Sequence, residues 1–334
     1  MQMERDLLGY GDNPPHPHWP DQARVAVSFV VNLEEGAEFA LGEGDHCNEA
    51  VYEVIDRIER FPDPCLQSHF DYGIRAGWHR IMAVLERYQV PATVSACGQA
   101  VERLPGLARD AVARGHELSA HGWRWESHVA MDEATERRSI ARTVQAITQA
   151  TGRRPVGWHT RSASSPNTRR LLMEEGGFLY DSDFYGDDLP VLLRNGPAPY
   201  VLVPYAFDTN DMQFQHTNRF VRAADFAGYV TDAFDWLWEE GRSQPKMMSI
   251  GLHLRMLGRP GRIAALERML EHMVRRGGAW FARRDQIAAH WAAQFADSPY
   301  ERRAQLSPLA GMGDSSPAMD ISSADGARYP IRRS

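Results

Sequence analysis

Side chains that carry protons and charge stand at the ends of apolar runs in this chain. VAVSFVVNL (25–33) leads into Glu34-Glu35-Gly36, ELSA (117–120) into His121-Gly122-Trp123-Arg124, and VGW (156–158) into His159-Thr160-Arg161. MMSIGL (247–252) leads into His253-Leu254-Arg255, and FLY (178–180) into Asp181-Ser182-Asp183. Carboxylates, imidazoles and guanidiniums are the groups that move protons and steady developing charge. Adjacent carboxylates on an extended chain point to opposite sides, so one of Glu34 and Glu35 can face a ligand while the other faces a metal or an arginine. His121 or His253 alone reads as a satisfied buried histidine, but two histidines closing different strands of one sheet share a rim. Asp181 and Asp183 alternate in the same way and can orient a histidine or arginine from behind, or cap the next loop. Trp123 and Trp125 read as core packing, as a lid on an apolar ring face, or as both. HGWRWESH (121–128) looks like half of a metal site, with Trp125 where the next turn of chain would offer a second ligand. His16, His18, His46, His69 and His128 have no strand context and are expected on the surface or in loops.

Eight short apolar runs would have to position these groups: 25–33, 92–98, 117–122, 156–160, 178–183, 200–205, 247–253 and 279–283. Helical periodicity falls between most of them, at 77–88, 104–115, 134–152, 165–177, 223–241 and 262–277, and several of these stretches close on glycine, as the position after a helix prefers. Ser165-Pro166 or Asn167 supplies a start for one of them. Strands alternating with helices imply a parallel sheet, and about eight of them imply a barrel, whose ligands are met at the carboxyl ends of the strands. The organisation expected is a Pro-rich arm (1–24), one barrel domain (25–300), and a tail (301–334) that loses periodicity and is rich in Ser, Gly, Pro and Asp.

The whole-chain numbers narrow the function. The 334 residues are 43 % hydrophobic, enough for a sizeable core, and the net charge of −7 offers no basic field for nucleic acid. Cys47, Cys65 and Cys97 form no CxxC pair and are too scattered for a disulfide framework, which points to a reducing compartment. No stretch approaches 18 uninterrupted apolar residues and the first twenty lack an apolar signal core, so a cytoplasmic protein without a membrane span is expected.

The strand ends resemble the motifs of the polysaccharide deacetylase superfamily, whose distorted (β/α) barrels carry a paired-acid motif, a histidine motif, an arginine-bearing loop and a late histidine in this order. RDLLGYGDNPPHPHWP, VNLEEGAE, DYGIRAGWHRI, SAHGWRW, SPNTRRLLMEEGGFLYDSDFYGDDLP, DTNDMQF and PKMMSIGLHLRMLGRPGR are similar, in detail, to its allantoinase branch of purine catabolism. The similarity spans roughly residues 5 to 300. It implies an α/β fold, a TIM-like barrel of about seven to eight strands. The same barrel serves cyclic imide hydrolases and peptidoglycan or chitin deacetylases, so the fold alone names no substrate.

Position by position, the resemblance implies that Glu34 is the general base, Glu35 the acid that ligates metal in the deacetylases, His121 the first metal histidine and His253 the general acid. The second metal histidine, four residues on, is replaced by Trp125, which leaves the acid, His, His set incomplete. The cofactor expectation is therefore none, or one weakly held zinc on Glu35 and His121, with His128 and His159 as possible substitutes. WHTRSASSP (158–166) departs from the pattern of a tyrosine followed by a glycine-arginine step, showing His159 and a shifted Arg161 instead. Opening a cyclic ureide or imide would then use Glu34 to take a proton from water, His253 to give one to the ring nitrogen, and Arg161 or Arg255 to steady the oxyanion. Trp123, Trp125, Arg255, His159 and Asp183 are expected to line the substrate. The resemblance further implies a homodimer or homotetramer, and we expect the arm and tail to cross between subunits. Allantoin is the expected substrate. The alternatives are a cyclic imide or hydantoin hydrolase, a polysaccharide deacetylase, or a barrel that has lost its metal histidine and acts as a scaffold.

Overall fold

All nine residues of the first strand, β1 (Val25–Leu33), are buried, as a run without alternation requires when both faces of a parallel sheet are covered. The computed structural model describes residues 6–51, 54, 56–161, 163–194, 198–215 and 220–296, and the tail expected from about 302 lies outside them. The other strands are β2 (Ala92–Ala96), β3 (Glu117–Ala120), β4 (Gly157–Trp158), β5 (Tyr180–Asp181), β6 (Val191–Leu193), β7 (Tyr200–Leu202), β8 (Lys246–His253) and β9 (Ala279–Phe281). They form one curled sheet in the order β6-β7-β5-β4-β3-β2-β1-β8, with β9 paired to β1 off that path. Pairing is parallel except where β6 runs against β7. All eight expected runs hold a strand. β6 is additional, and its three residues are too short to show a period.

β1 is the axis of the sheet. β8 follows it from Val25 opposite Lys246 to Asn32 opposite His253, while β2 pairs its upper half and β9 its lower residues. Between β7 and β8 an irregular segment takes the place of a ladder. There Asn210 bridges Gly251, and the Arg284 guanidinium donates to Ser182 Oγ at 2.8 Å, Ser249 Oγ at 2.5 Å, Val203 O at 2.5 Å and Pro204 O at 2.6 Å. One buried arginine thus ties β8 to the ends of β5 and β7, with which it shares no ladder.

The helices are α1 (Pro64–Tyr72), α2 (Trp78–Arg87), α3 (Gly98–Arg103), α4 (Pro105–Ala113), α5 (Glu133–Thr151), α6 (Thr168–Glu175), α7 (Ala223–Glu240), α8 (Leu254–Leu257), α9 (Pro260–Arg276) and α10 (Arg284–Gln294). A π turn, Gly73–Gly77, joins α1 to α2. Local chemistry sets several ends. Asp132 caps α5 by accepting from the Thr135 backbone N–H, and α5 and α6 close on Gly152 and Gly176 with φ of 71° and 82°, a conformation that favours glycine. Ser165 Oγ accepts from the backbone N–H groups of Asn167 and Thr168, so the expected start of the sixth helix is real although its first helical residue is Thr168.

The amino-terminal end of the barrel is sealed by a second apolar cluster that includes Trp19, Tyr180, Val201, Met247, Ile287 and Trp291. The arm takes part in it. Trp19 Nε1 donates to Lys246 O at 2.9 Å and the Tyr10 hydroxyl to Pro190 O at 2.6 Å, so this part of the arm lies on its own barrel. Among the described residues no helix is long and apolar enough to cross a membrane.

Candidate active site

The ladder that aligns Asn32 with His253 brings Glu34, two residues past Asn32, beside the end of β8. His121 follows the last residue of β3 and His159 the last of β4, each continuing its strand by one backbone hydrogen bond, His121 N–H to Ala96 O and His159 N–H to Ala120 O. Four strands therefore deliver four ionisable groups to one rim, and all four are buried.

Glu34 is the centre. Its Oε1 lies 3.4 Å from His253 Nε2 and 3.6 Å from His121 Nε2, and its Oε2 accepts from Arg255 Nη1 at 2.9 Å. His253 is held from behind, Nδ1 at 2.6 Å from Asp211 Oδ1 and its backbone N–H donating to Asp211 Oδ2 at 2.7 Å. His121 Nδ1 meets His159 O at 2.6 Å, which leaves Nε2 as the atom presented to Glu34. Burial pushes the Glu34 carboxyl up, but His253, the hydrogen bond from His121 and Arg255 together hold it well below the usual carboxylate range. For His253 burial acts downward, and the charges of Glu34 and Asp211 outweigh it, raising the imidazole to about 10. At neutral pH the cluster holds a carboxylate and an imidazolium in contact.

Glu35 takes the other side of the chain, as the alternation requires. Its oxygens accept from the backbone N–H groups of Arg255 at 3.2 Å and Glu34 at 3.3 Å, and it lies under Gly73. Burial and the neighbouring Glu34 charge raise it to about 7 against the pull of Arg255. Arg255, not His121, is the partner the structure gives it.

Trp125 is buried beside the cluster. Its ring has the Arg161 guanidinium 3.6 Å from one side, the Arg255 guanidinium at 4.7 Å, and Phe70 edge-to-face at 6.0 Å. Arg161 is therefore not placed against the acid and base: it donates to Trp125 O at 2.6 Å and pairs with Glu49 at 3.0 Å. Trp123 is also directed elsewhere, packed over Gly98 with the Arg142 guanidinium 3.5 Å from its ring. Asp183 accepts from Thr160 N and Oγ1, both at 2.7 Å, and burial with the Asp181 charge raises it to about 6. It braces the turn that carries His159. His159 itself stacks on His121 with centroids 5.0 Å apart and lies 4.3 Å from Tyr205. Burial, then the neighbouring His121, hold its imidazole well below its ordinary value, so it is neutral.

The expectation for His128 needs correction as well. His128 stands in a loop, as expected, but it is not on the surface and is no ligand: it is fully buried, with Nδ1 3.0 Å from Glu136, and it fastens the 121–131 loop to α5. In the sequence Asp211 stands out only within the string DTNDMQF, yet it is the residue that orients His253. It opens a 3₁₀ turn, Asp211–Gln215, and closes no apolar run, so a search of strand ends passes over it. Tyr205 is the other omission. Its hydroxyl accepts from Asn210 Nδ2 at 3.2 Å and Asn32 Nδ2 at 3.4 Å, tying the irregular segment to β1 beneath the cluster.

Comparison with known proteins adds the family. The polysaccharide deacetylase family model matches residues 59–180. A polysaccharide deacetylase-type protein of Schizosaccharomyces pombe is 37 % identical over 319 residues, which are 88 % of this chain and 98 % of that one. The chain belongs to the polysaccharide deacetylase family. Among solved structures, PuuE allantoinase is 45 % identical with a TM-score of 0.84, covering 90 % of this chain and 100 % of that chain. A polysaccharide deacetylase-type protein of Pseudomonas aeruginosa PAO1 is 46 % identical with the same TM-score, covering 89 % and 99 %.

The metal of the family's deacetylases does not fit the residues present. Trp125 stands at the second histidine's position, Glu35 turns to Arg255, and the carboxylate that does face His121 already holds Arg255 and His253. Among the described residues no group of three His, Cys, Asp or Glu is arranged to hold a metal ion.

Proposed function

We propose that this deacetylase-family hydrolase opens a small cyclic ureide by cleaving a ring carbon–nitrogen bond, with allantoin, giving allantoate, as the fitting substrate. The observation that carries the reading is the contact between an ionised Glu34 and a protonated His253, two groups driven apart in pKa by one another and by Asp211. Water gives a proton to Glu34 as its oxygen bonds to the ring carbonyl carbon. His253 protonates the ring nitrogen as the carbon–nitrogen bond breaks. The 3.4 Å contact then lets the proton pass from Glu34 back to His253 and resets the pair. Arg255 keeps positive charge beside the reacting carbonyl. Similarity to PuuE allantoinase supports the choice of ring.

The names of the other relatives favour a second reading, removal of acetyl from an amino sugar, which the same acid and base would serve. Purified protein assayed on allantoin, hydantoin, succinimide and an N-acetylglucosamine oligomer separates the two. Ring opening of allantoin is expected, with loss of about 10²–10⁴-fold or more in Glu34→Gln and in His253→Ala. Acetate release from the oligomer with no ring opening, or either variant turning over like the wild type, would overturn the proposal.

A further inference from the structure

The Arg255 guanidinium is a buried cation with an aromatic seat. The residue is 1 % exposed, and the ring centroids of Trp125 and Phe70 lie 4.7 and 4.8 Å from its Cζ. Its Nη1 donates to Glu34 Oε2 at 2.9 Å and lies 3.8 Å from Glu35 Oε1. Trp125 is held in turn. Its backbone N–H donates to Ala37 O at 3.1 Å, and the Arg161 guanidinium, 3.6 Å from its ring centroid, pairs with Glu49 at 3.0 Å. A row of alternating character thus runs into the site: Glu49, Arg161, Trp125, Arg255, Glu34.

Glu35, His121 and Trp125 stand at the positions where the resemblance puts the metal ligands of the deacetylases. Glu35 and Trp125 both face the Arg255 guanidinium, and His121 faces Glu34, whose other oxygen Arg255 holds. The cation of this site is therefore part of the chain. A buried guanidinium is costly unless a counter-ion and close contacts replace the water it loses. Glu34 is the counter-ion, and the two rings are the contacts. A metal takes a lone pair from a histidine nitrogen, whereas a guanidinium is drawn to the π face of an aromatic ring, and tryptophan offers the strongest such face. Trp125 and Arg255 are two halves of one arrangement.

We propose that Arg255 is a built-in cation that takes the place of the deacetylases' metal, and that Trp125, with Phe70, is the positioning residue that seats it against Glu34. Its effect on turnover rests on the cyclic-ureide reading above, and its effect on metal binding does not.

The first test compares Trp125→Leu with Trp125→Phe in allantoin turnover, since leucine fills space without a π face and phenylalanine keeps one. Trp125→Leu is expected to lose about tenfold or more in kcat with KM changed little, and Trp125→Phe to recover most of that loss. Where Trp125→Leu does not fold, Phe70→Leu beside Phe70→Tyr takes its place, with the same outcomes expected. Equal losses in the two variants of a pair, or a leucine substitution that turns over like the wild type, overturn the proposal. The second test is calorimetric titration with zinc alone of the wild type, Trp125→His and Trp125→His/Arg255→Gln. Zinc is expected to bind the double variant about tenfold tighter or more than Trp125→His, because only the double variant both supplies the histidine and removes the competing charge. A double variant that takes up no zinc, or a Trp125→His protein that binds it as tightly, overturns the proposal. This titration contains no substrate, so a wild type that leaves allantoin untouched overturns the cyclic-ureide reading and leaves the role of Arg255 to be decided by zinc.

Discussion

Asp211 decides what His253 can do. An imidazole buried at this depth would ordinarily shed its proton. Here Asp211 accepts from both the ring and the backbone of His253, Glu34 sits on the far nitrogen, and the proton stays to about pH 10. The active form, with Glu34 ionised and His253 protonated, therefore spans a broad plateau. The acid limb of kcat/KM is expected below the usual carboxylate range and the alkaline limb near pH 10. Asp211→Asn removes one of the two anions, so His253 loses its proton earlier. The alkaline limb is expected to move down by about one to three pH units, and the pH profile of kcat/KM measures it. A limb that stays in place would mean that Asp211 is only a strut. Stability follows the same sign. The folded value lies above the unfolded 6.5, so the stabilisation His253 contributes is complete below about 6.5 and is lost as pH rises through about 10.

At the scale of elements, the π turn Gly73–Gly77 sets how closely the α1–α2 helix pair approaches Glu35 and the start of α8. Both ends of the turn are glycines for a steric reason. A Cβ at Gly73 would overlap the Glu35 carboxylate, with Cδ 2.8 Å away and Arg255 N at 3.0 Å, and one at Gly77 would overlap the Leu254 carbonyl. Gly73→Ala is expected to push Glu35 off the Arg255 backbone, lowering activity and costing about 1–3 kcal/mol of stability. Gly228→Ala on α7, where a Cβ meets nothing within 4 Å, should instead raise stability by about 0.5–1 kcal/mol. Thermal melts of the two variants beside the wild type measure both, and equal shifts would remove the steric argument. The same elements show what was legible in sequence. β1 and β8 are long buried runs, and their ends announced Glu34 and His253. The π turn, α8 and α10 gave no signal because contacts distant in sequence determine them. α10 begins with an arginine buried inside the barrel, and no amphipathic pattern predicts that. Arg161, Trp123 and Asp183 stand near the right strand ends, but the direction of each side chain depends on Glu49, Arg142 and Thr160, which no spacing relates to them.

For the molecule as a whole, a net charge of −7 surrounds a site in which two buried cations are locked onto one carboxylate. Arg255 and the protonated His253 both contact the Glu34 carboxylate, which also faces His121. A divalent ion placed on Glu34 and His121 would stand within a few ångströms of both cations. Each pair of unit charges at 4 Å costs on the order of 4 kcal/mol at the effective dielectric of a protein site, and a divalent ion doubles every such pair. Glu34 and His121 are also only two donors, and a catalytic zinc site has three protein ligands. We therefore propose that turnover needs no metal. Protein dialysed against a strong chelator is expected to hold well under one zinc per chain by elemental analysis and to keep its rate of ring opening. If one zinc per chain survives dialysis, and its forced removal abolishes activity that added zinc restores, the charge argument fails. A ligand such as His159 would then have to turn toward Glu34 and expel Arg255 from it.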